Sequence, residues 1–158
     1  MFVTEKALLP AIAILEIALG AWFSYRLLHG YLAEDWSLSP QLLVAALLFL
    51  STTVIAGILL LFRTRSGIWL SVAVQVLQVY SFSAWKLGWG VVLGPYLLVR
   101  VWPPIHLAFG FTFHFGEVFH ADPIAAMFTL NLVPGVIVGY LLAYAKGEEK
   151  TLFGDQTV

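Results

Sequence analysis

The sequence predicts an all-α membrane protein: a four-transmembrane-helix bundle with a β-like extracytoplasmic insert between the third and fourth helices. Three observations lead there. Of 158 residues, 61% are hydrophobic and only 11% charged, against about half apolar and a quarter charged in an ordinary globular domain. The apolar residues gather into long runs divided by short polar links that carry helix-capping signals. One stretch, Pro95 to Asp122, alternates with a period of two instead.

The first helix is expected over residues 7–28, with Thr4 before it and Glu5 in its first turn. That length suits the roughly 20 residues needed to cross a hydrocarbon core about 30 Å thick. The run exceeds a signal-peptide core and no small-x-small cleavage site follows it, so it is read as retained. A polar link from Ala33 to Ser39 ends in Ser39-Pro40, a capping serine followed by a first-turn proline, which opens a second helix over 40–62. The link Arg63-Thr64-Arg65-Ser66-Gly67 is so short that the third helix, 68–86, must return antiparallel beside it. Gly88, Gly90, Gly94, Pro95, Pro103 and Pro104 then interrupt helical continuity and define the insert, 87–122. Asp122-Pro123 repeats the cap-plus-proline signal and opens a fourth helix over 123–145, ahead of Lys146-Gly147. The whole chain, 1–158, reads as a single membrane domain.

Orientation follows from lysine and arginine, which favour cytoplasmic loops. Lys6, Arg63, Arg65, Lys146 and Lys150 fall on one side, against Arg26, Lys86 and Arg100 on the other. The expectation is cytoplasmic N- and C-termini in a bacterial cytoplasmic membrane, with the insert outside. Trp36, Trp85, Trp89 and Trp102 fall on that outer side, where indole rings settle at the headgroup level.

Within the insert, the odd positions Ile105, Leu107, Phe109, Phe111, Phe113, Phe115, Glu117 and Phe119 alternate with smaller and more polar even ones, including His106, His114 and His120. Strands have that period. Residues 96–102 alternate too, so an irregular hairpin broken at Pro103-Pro104 is expected. Strand edges have no hydrogen-bond partners in hydrocarbon, which assigns the hairpin to the outer interface. The face formed by Phe109, Phe111, Phe113, Phe115 and Phe119 is a candidate docking surface; packing onto its own bundle is the alternative.

Glu16 is the only acidic residue well inside a span. Counting about 1.5 Å per residue puts Thr52, Gln78 and Pro134 at its level, with Ser51, Thr53, Gln75 and Asn131 within a turn. Glu16, Thr52, Gln75, Gln78 and Asn131 thus form a predicted mid-membrane polar cluster. It serves either as a proton or cation relay or as structural glue, in which a protonated Glu16 shares hydrogen bonds with Gln78 or Thr52. One carboxyl group alone makes a short relay, which favours glue. On the fourth helix, Gly135, Gly139 and Ala143 repeat every four residues, a stripe that admits a close helix neighbour from the same chain or from another subunit.

A net charge of −1 without a basic cluster excludes a nucleic-acid footprint. Without cysteine there is no disulfide, thiolate nucleophile or iron–sulfur cluster. Only His29 lies near a span, which disfavours a bis-histidine haem. His106, His114 and His120, with Glu117 and Asp122, have metal-ligand chemistry, but an extended strand separates successive pairs by about 26 and 20 Å. Solvated histidines on a polar strand face are expected instead, unless Gly110 or Gly116 folds the strand. No catalytic residue, cofactor or metal is assigned. The partners expected are membrane lipid and other membrane subunits or copies of this chain. The function expected is a non-enzymatic accessory or scaffold protein that docks subunits through the insert and fourth helix. The alternatives are a small oligomeric ion or proton channel or transporter using Glu16, and an enzyme with a metal or quinone site near His114, Glu117 and His120.

Overall fold

The computed structural model describes residues 3–33, 39–101 and 106–153, with side chains placed for 7–33, 39–81, 90–99, 107–112, 114–115 and 128–147. The elements run α1 (Val3–Leu32), α2 (Pro40–Leu61), α3 (Arg65–Val79), β1 (Tyr80–Val101), β2 (His106–Asn131) and α4 (Leu132–Phe153). The chain is mostly helical, with one two-stranded antiparallel sheet. Trp36 and Trp102 lie outside the described residues, and the side chains of Trp85 and Trp89 outside the described side chains.

Among the described residues two helices are long and apolar enough to cross a membrane, α1 from Ala7 to Leu32 and α2 throughout. The predicted start of α2 is where the structure has it. Ser39 caps the helix by accepting from the Leu42 amide at 3.3 Å, and Pro40 takes the first helical position. After Leu61 the chain turns through Arg63, whose φ of 53° is left-handed, a conformation that normally falls to glycine at a helix end. Thr64 then caps α3, its hydroxyl oxygen accepting from the Gly67 amide at 3.0 Å.

The third and fourth helices differ from expectation. α3 ends at Val79 rather than at residue 86, because Tyr80 and Phe82 alternate with Ser81 and Ser83 and enter a strand. α4 begins at Leu132 rather than at residue 123, and residues 123–131 belong to β2. The Asp122-Pro123 signal does not open a helix. It falls in an irregular stretch of the ladder, between the pairs Leu87↔Phe119 and Trp85↔Ile124, where β2 advances five residues for two of β1. A proline costs little at such a bulge because no ladder bond is required of it. Tertiary pairing has overruled a local capping signal.

The hairpin predicted over 87–122 therefore spans 80–131, and it coils. A straight strand would hold Ser81 and Gly90 about 30 Å apart, yet a methyl group on Gly90 would lie 2.7 Å from Ser81 Cβ. The tip also returns to the base. Residues 98–100 of β1 pair with 106–108 along one edge, and 98–101 pair with 128–131 along the other. Coiling thus closes part of the ribbon's outer edge, where unpaired amides would otherwise have no partner away from water.

Two cores result. In one half, Leu9, Ile12 and Ala13 of α1 pack with Leu60 of α2, Ile68 and Val72 of α3 and Leu141 of α4. In the other, Leu19 and Leu27 of α1 and Ala46, Phe49, Leu50 and Ala56 of α2 pack with Val74 of α3 and with Val91 and Leu93 of the ribbon. Four helices in one half give way to three helices and a β ribbon in the other. The ribbon does not sit beyond the helix ends, as the sequence suggested. It lies alongside them, with the Phe111 ring 6.0 Å from that of Phe23 on α1 and the Phe115 ring 5.5 Å from that of Phe49 on α2.

Candidate functional site

At the seam between the two cores lie six buried polar residues: Glu16, Thr53, Ser71, Gln75, Gln78 and Asn131. α3 supplies three of them on one stripe, since Ser71, Gln75 and Gln78 are spaced four and three residues apart and share a helix face. Glu16, only 2% exposed, has both carboxyl oxygens engaged. Ser71 Oγ donates to Oε2 at 2.7 Å, and Gln75 Nε2 donates to Oε1 at 2.9 Å.

The other two amides serve the change from helix to strand. Gln78 Oε1 accepts the backbone N–H of Leu93 at 3.0 Å, while its nitrogen donates to the Val74 carbonyl. Asn131 Oδ1 accepts from the Leu97 amide at 3.2 Å and from the Val133 amide at 3.3 Å. The first bond clasps the ribbon beside its Leu98↔Asn131 pair; the second caps α4. Where backbone groups leave one ladder before joining another, side-chain amides supply the missing acceptors. Asn131 Nδ2 is buried without a hydrogen-bond partner among the described residues.

The structure brings Glu16, Gln75, Gln78 and Asn131 to this seam and leaves Thr52 out of it. The Thr52 hydroxyl donates to Leu48 O within its own helix. Thr53 takes its place because the buried face of α2 runs through Phe49, Ala56 and Leu60, and position 53 falls on that stripe. The expected partners of Glu16, Gln78 and Thr52, are likewise replaced by Gln75 and Ser71. Ser71 was missed because a lone serine does not stand out in an apolar helix; its four-residue spacing from Gln75 was the available signal. Ser71 is fully buried, so its pairing with Glu16 ties α3 to α1 and meets no solute.

Glu16, Thr53, Gln75 and Gln78 also line a cavity of about 20 Å³. Leu15 and Leu19 of α1, Leu93 and Pro95 of β1, and Val133, Pro134 and Ile137 of α4 complete its wall. Gly94, next to Leu93, is fixed on two counts. Its φ is +89°, and a methyl group there would run into Leu19 Cδ1.

The predicted phenylalanine face divides. Phe115 is half-buried against Phe49, whereas Phe109 is 85% and Phe111 59% exposed. Leu107, on the same strand face, is 71% exposed. The side chains of Phe113 and Phe119 lie outside those described, as do those of His106, Glu117, His120 and Asp122. His114 is not a solvated histidine. It is half-buried, and a methyl on Gly90 would lie 3.7 Å from its Cδ2.

Gly135 and Gly139 on α4 have open space where a methyl would go, and Ala143 is exposed. Among the described residues no same-chain neighbour meets that stripe; α4 packs through Leu141 on another face. Close helix approach occurs instead at Gly20 and Gly57. A methyl on Gly20 would lie 2.7 Å from Val54 Cγ2, and one on Gly57 would lie 2.7 Å from Ala13 O and 2.8 Å from Ile17 Cγ1. No protein-family model, curated protein or solved structure matches the chain.

Proposed function

We propose that this chain is a non-enzymatic integral membrane scaffold that docks partner subunits through the apolar face of its ribbon and the open face of α4. The carrying observation is the row Leu107, Phe109 and Phe111, at 71%, 85% and 59% exposure, on a strand whose outer edge, among the described residues, is paired only at residues 128–131. In hydrocarbon, exposed apolar side chains need no cover, but an unpaired strand edge does. A partner strand or helix laid along β2 would supply it. On α4, the gap at Gly135 and Gly139 would admit a second backbone at close range.

The membrane arrangement is part of the proposal. α1 and α2 each cross alone. At 15 residues α3 reaches about 22 Å, and the apolar part of α4 ends at Gly147. The ladder Tyr80–Ser83 with Met127–Leu130 would complete the third and fourth crossings, its amides paired within the ribbon. The arginines at Arg63 and Arg65 favour a cytoplasmic α2–α3 turn, hence cytoplasmic termini in a bacterial inner membrane.

The test is purification of the tagged full chain from native membranes in a mild detergent. A defined heteromeric complex that dissociates in Phe109→Ser/Phe111→Ser, while the variant stays folded, is the expected result. A wild type that runs as a monomer overturns the proposal. A homo-oligomer with Glu16-dependent flux in liposomes would support the channel reading instead. That reading is the weaker one, because the cavity beside Glu16 is small and both carboxyl oxygens already accept hydrogen bonds.

A further inference from the structure

We infer that the seam cavity is a specific site for one water molecule, held between Glu16, Thr53, Gln75 and Gln78. The volume sets the number. A space of roughly 10–15 Å³ admits one water, and the cavity, at about 20 Å³, holds one with little space to spare.

The wall sets the chemistry. A buried water needs two to four polar partners, and four of the lining side chains are polar. Each has hydrogen-bonding capacity left after its bonds within the protein. A carboxyl oxygen has two lone pairs, and each oxygen of Glu16 accepts from one donor. Gln75 commits its nitrogen to Glu16 and leaves its carbonyl oxygen as an acceptor. Gln78 uses one of its two N–H groups on Val74. Thr53 Oγ1 gives its proton to Phe49 O and keeps its lone pairs. A water molecule donating to Gln75, Thr53 or Glu16 and accepting from Gln78 matches that inventory.

Other occupants match it less well. A metal cation needs a shell of several oxygens, but here Gln75 turns its amide nitrogen toward Glu16. Val133 and Pro134 also bring the positive end of α4 to the same wall. An anion would meet the Glu16 carboxyl group. An apolar occupant would leave polar groups unsatisfied. The inference stands apart from the docking proposal, because the seam lies inside one chain.

The experiment is water-to-protein magnetisation transfer by NMR on the labelled full chain in lipid nanodiscs, at a pH where side-chain amide exchange is slow. Transfer from a long-lived water to the side-chain amides of Gln75 and Gln78 is expected in wild type. In Ile137→Phe, which enlarges a wall residue into the cavity, those cross-peaks should fall to the noise while the Leu93 amide keeps its hydrogen-bonded shift. If Ile137→Phe does not fold, Val133→Ile adds a single carbon to the same wall and carries the same expectation. Absence of transfer in wild type with both amides assigned overturns the inference, as does transfer that persists at full intensity in the folded filling variant.

Discussion

Replacing Gly57 by alanine and, separately, Gly139 by alanine distinguishes a helix contact that the structure makes from one that the sequence only suggests. Both glycines lie inside helices, so both substitutions gain the same intrinsic helix propensity, about 1 kcal/mol. The steric consequences differ. At Gly57 the new methyl would lie 2.7 Å from Ala13 O and 2.8 Å from Ile17 Cγ1, where ordinary contact begins at 3.4 Å. A backbone carbonyl cannot rotate away, so α1 must retreat from α2 by several tenths of an ångström, loosening the packing around Glu16, whose Cβ would be 3.1 Å from that methyl. Overpacking of this kind costs about 1–3 kcal/mol. At Gly139 the methyl meets no atom within 4 Å. The propensity terms cancel in the comparison, and Gly57→Ala should be less stable than Gly139→Ala by about 1–3 kcal/mol. The assay is equilibrium unfolding of the purified chain in mixed micelles, followed by helical circular dichroism. Equal stabilities, or Gly57→Ala the more stable, would refute the close α1–α2 approach and with it the packing of the Glu16 seam.

Two further outcomes follow from individual contacts. Gln78→Leu removes the acceptor of the buried Leu93 amide, and an orphaned buried donor costs about 1–3 kcal/mol; hydrogen exchange at Leu93 should accelerate more than at ribbon amides remote from it. Arg63 occupies a left-handed conformation at φ 53°, so Arg63→Gly should raise stability by about 1 kcal/mol, seen as a higher unfolding midpoint.

Much of this fold was legible in the sequence because its signals are local. Runs of apolar residues and the Ser39-Pro40 cap are enough to specify α1 and α2, since a helix satisfies its own backbone and needs only an apolar surround. The alternation from Ile105 onward marked a strand for the same reason, side chains on a strand pointing to opposite faces residue by residue. The candidate seam was partly visible as well. Glu16, Gln75 and Gln78 are polar where lipid-facing residues would be apolar, and the depth count brought them to one level. The choice between Thr52 and Thr53 was not visible in that way, because adjacent helix positions differ by about 100° and only packing against α1 and α3 selects the face.

The long-range pairings were not legible. Residues 80–86 and 123–131 carry helix-compatible signals, Asp122-Pro123 among them, and they are strands because they find each other and because 128–131 also finds 98–101 across the coiled ribbon. By itself the sequence determined the two long apolar helices and the period-two stretch, each set within a few residues of its own position. The tertiary structure decided where helix gives way to strand, which polar side chains complete the hydrogen bonds at that change, and which glycines admit a neighbouring helix. Those outcomes depend on atoms that lie far apart in the chain and meet only when it has folded.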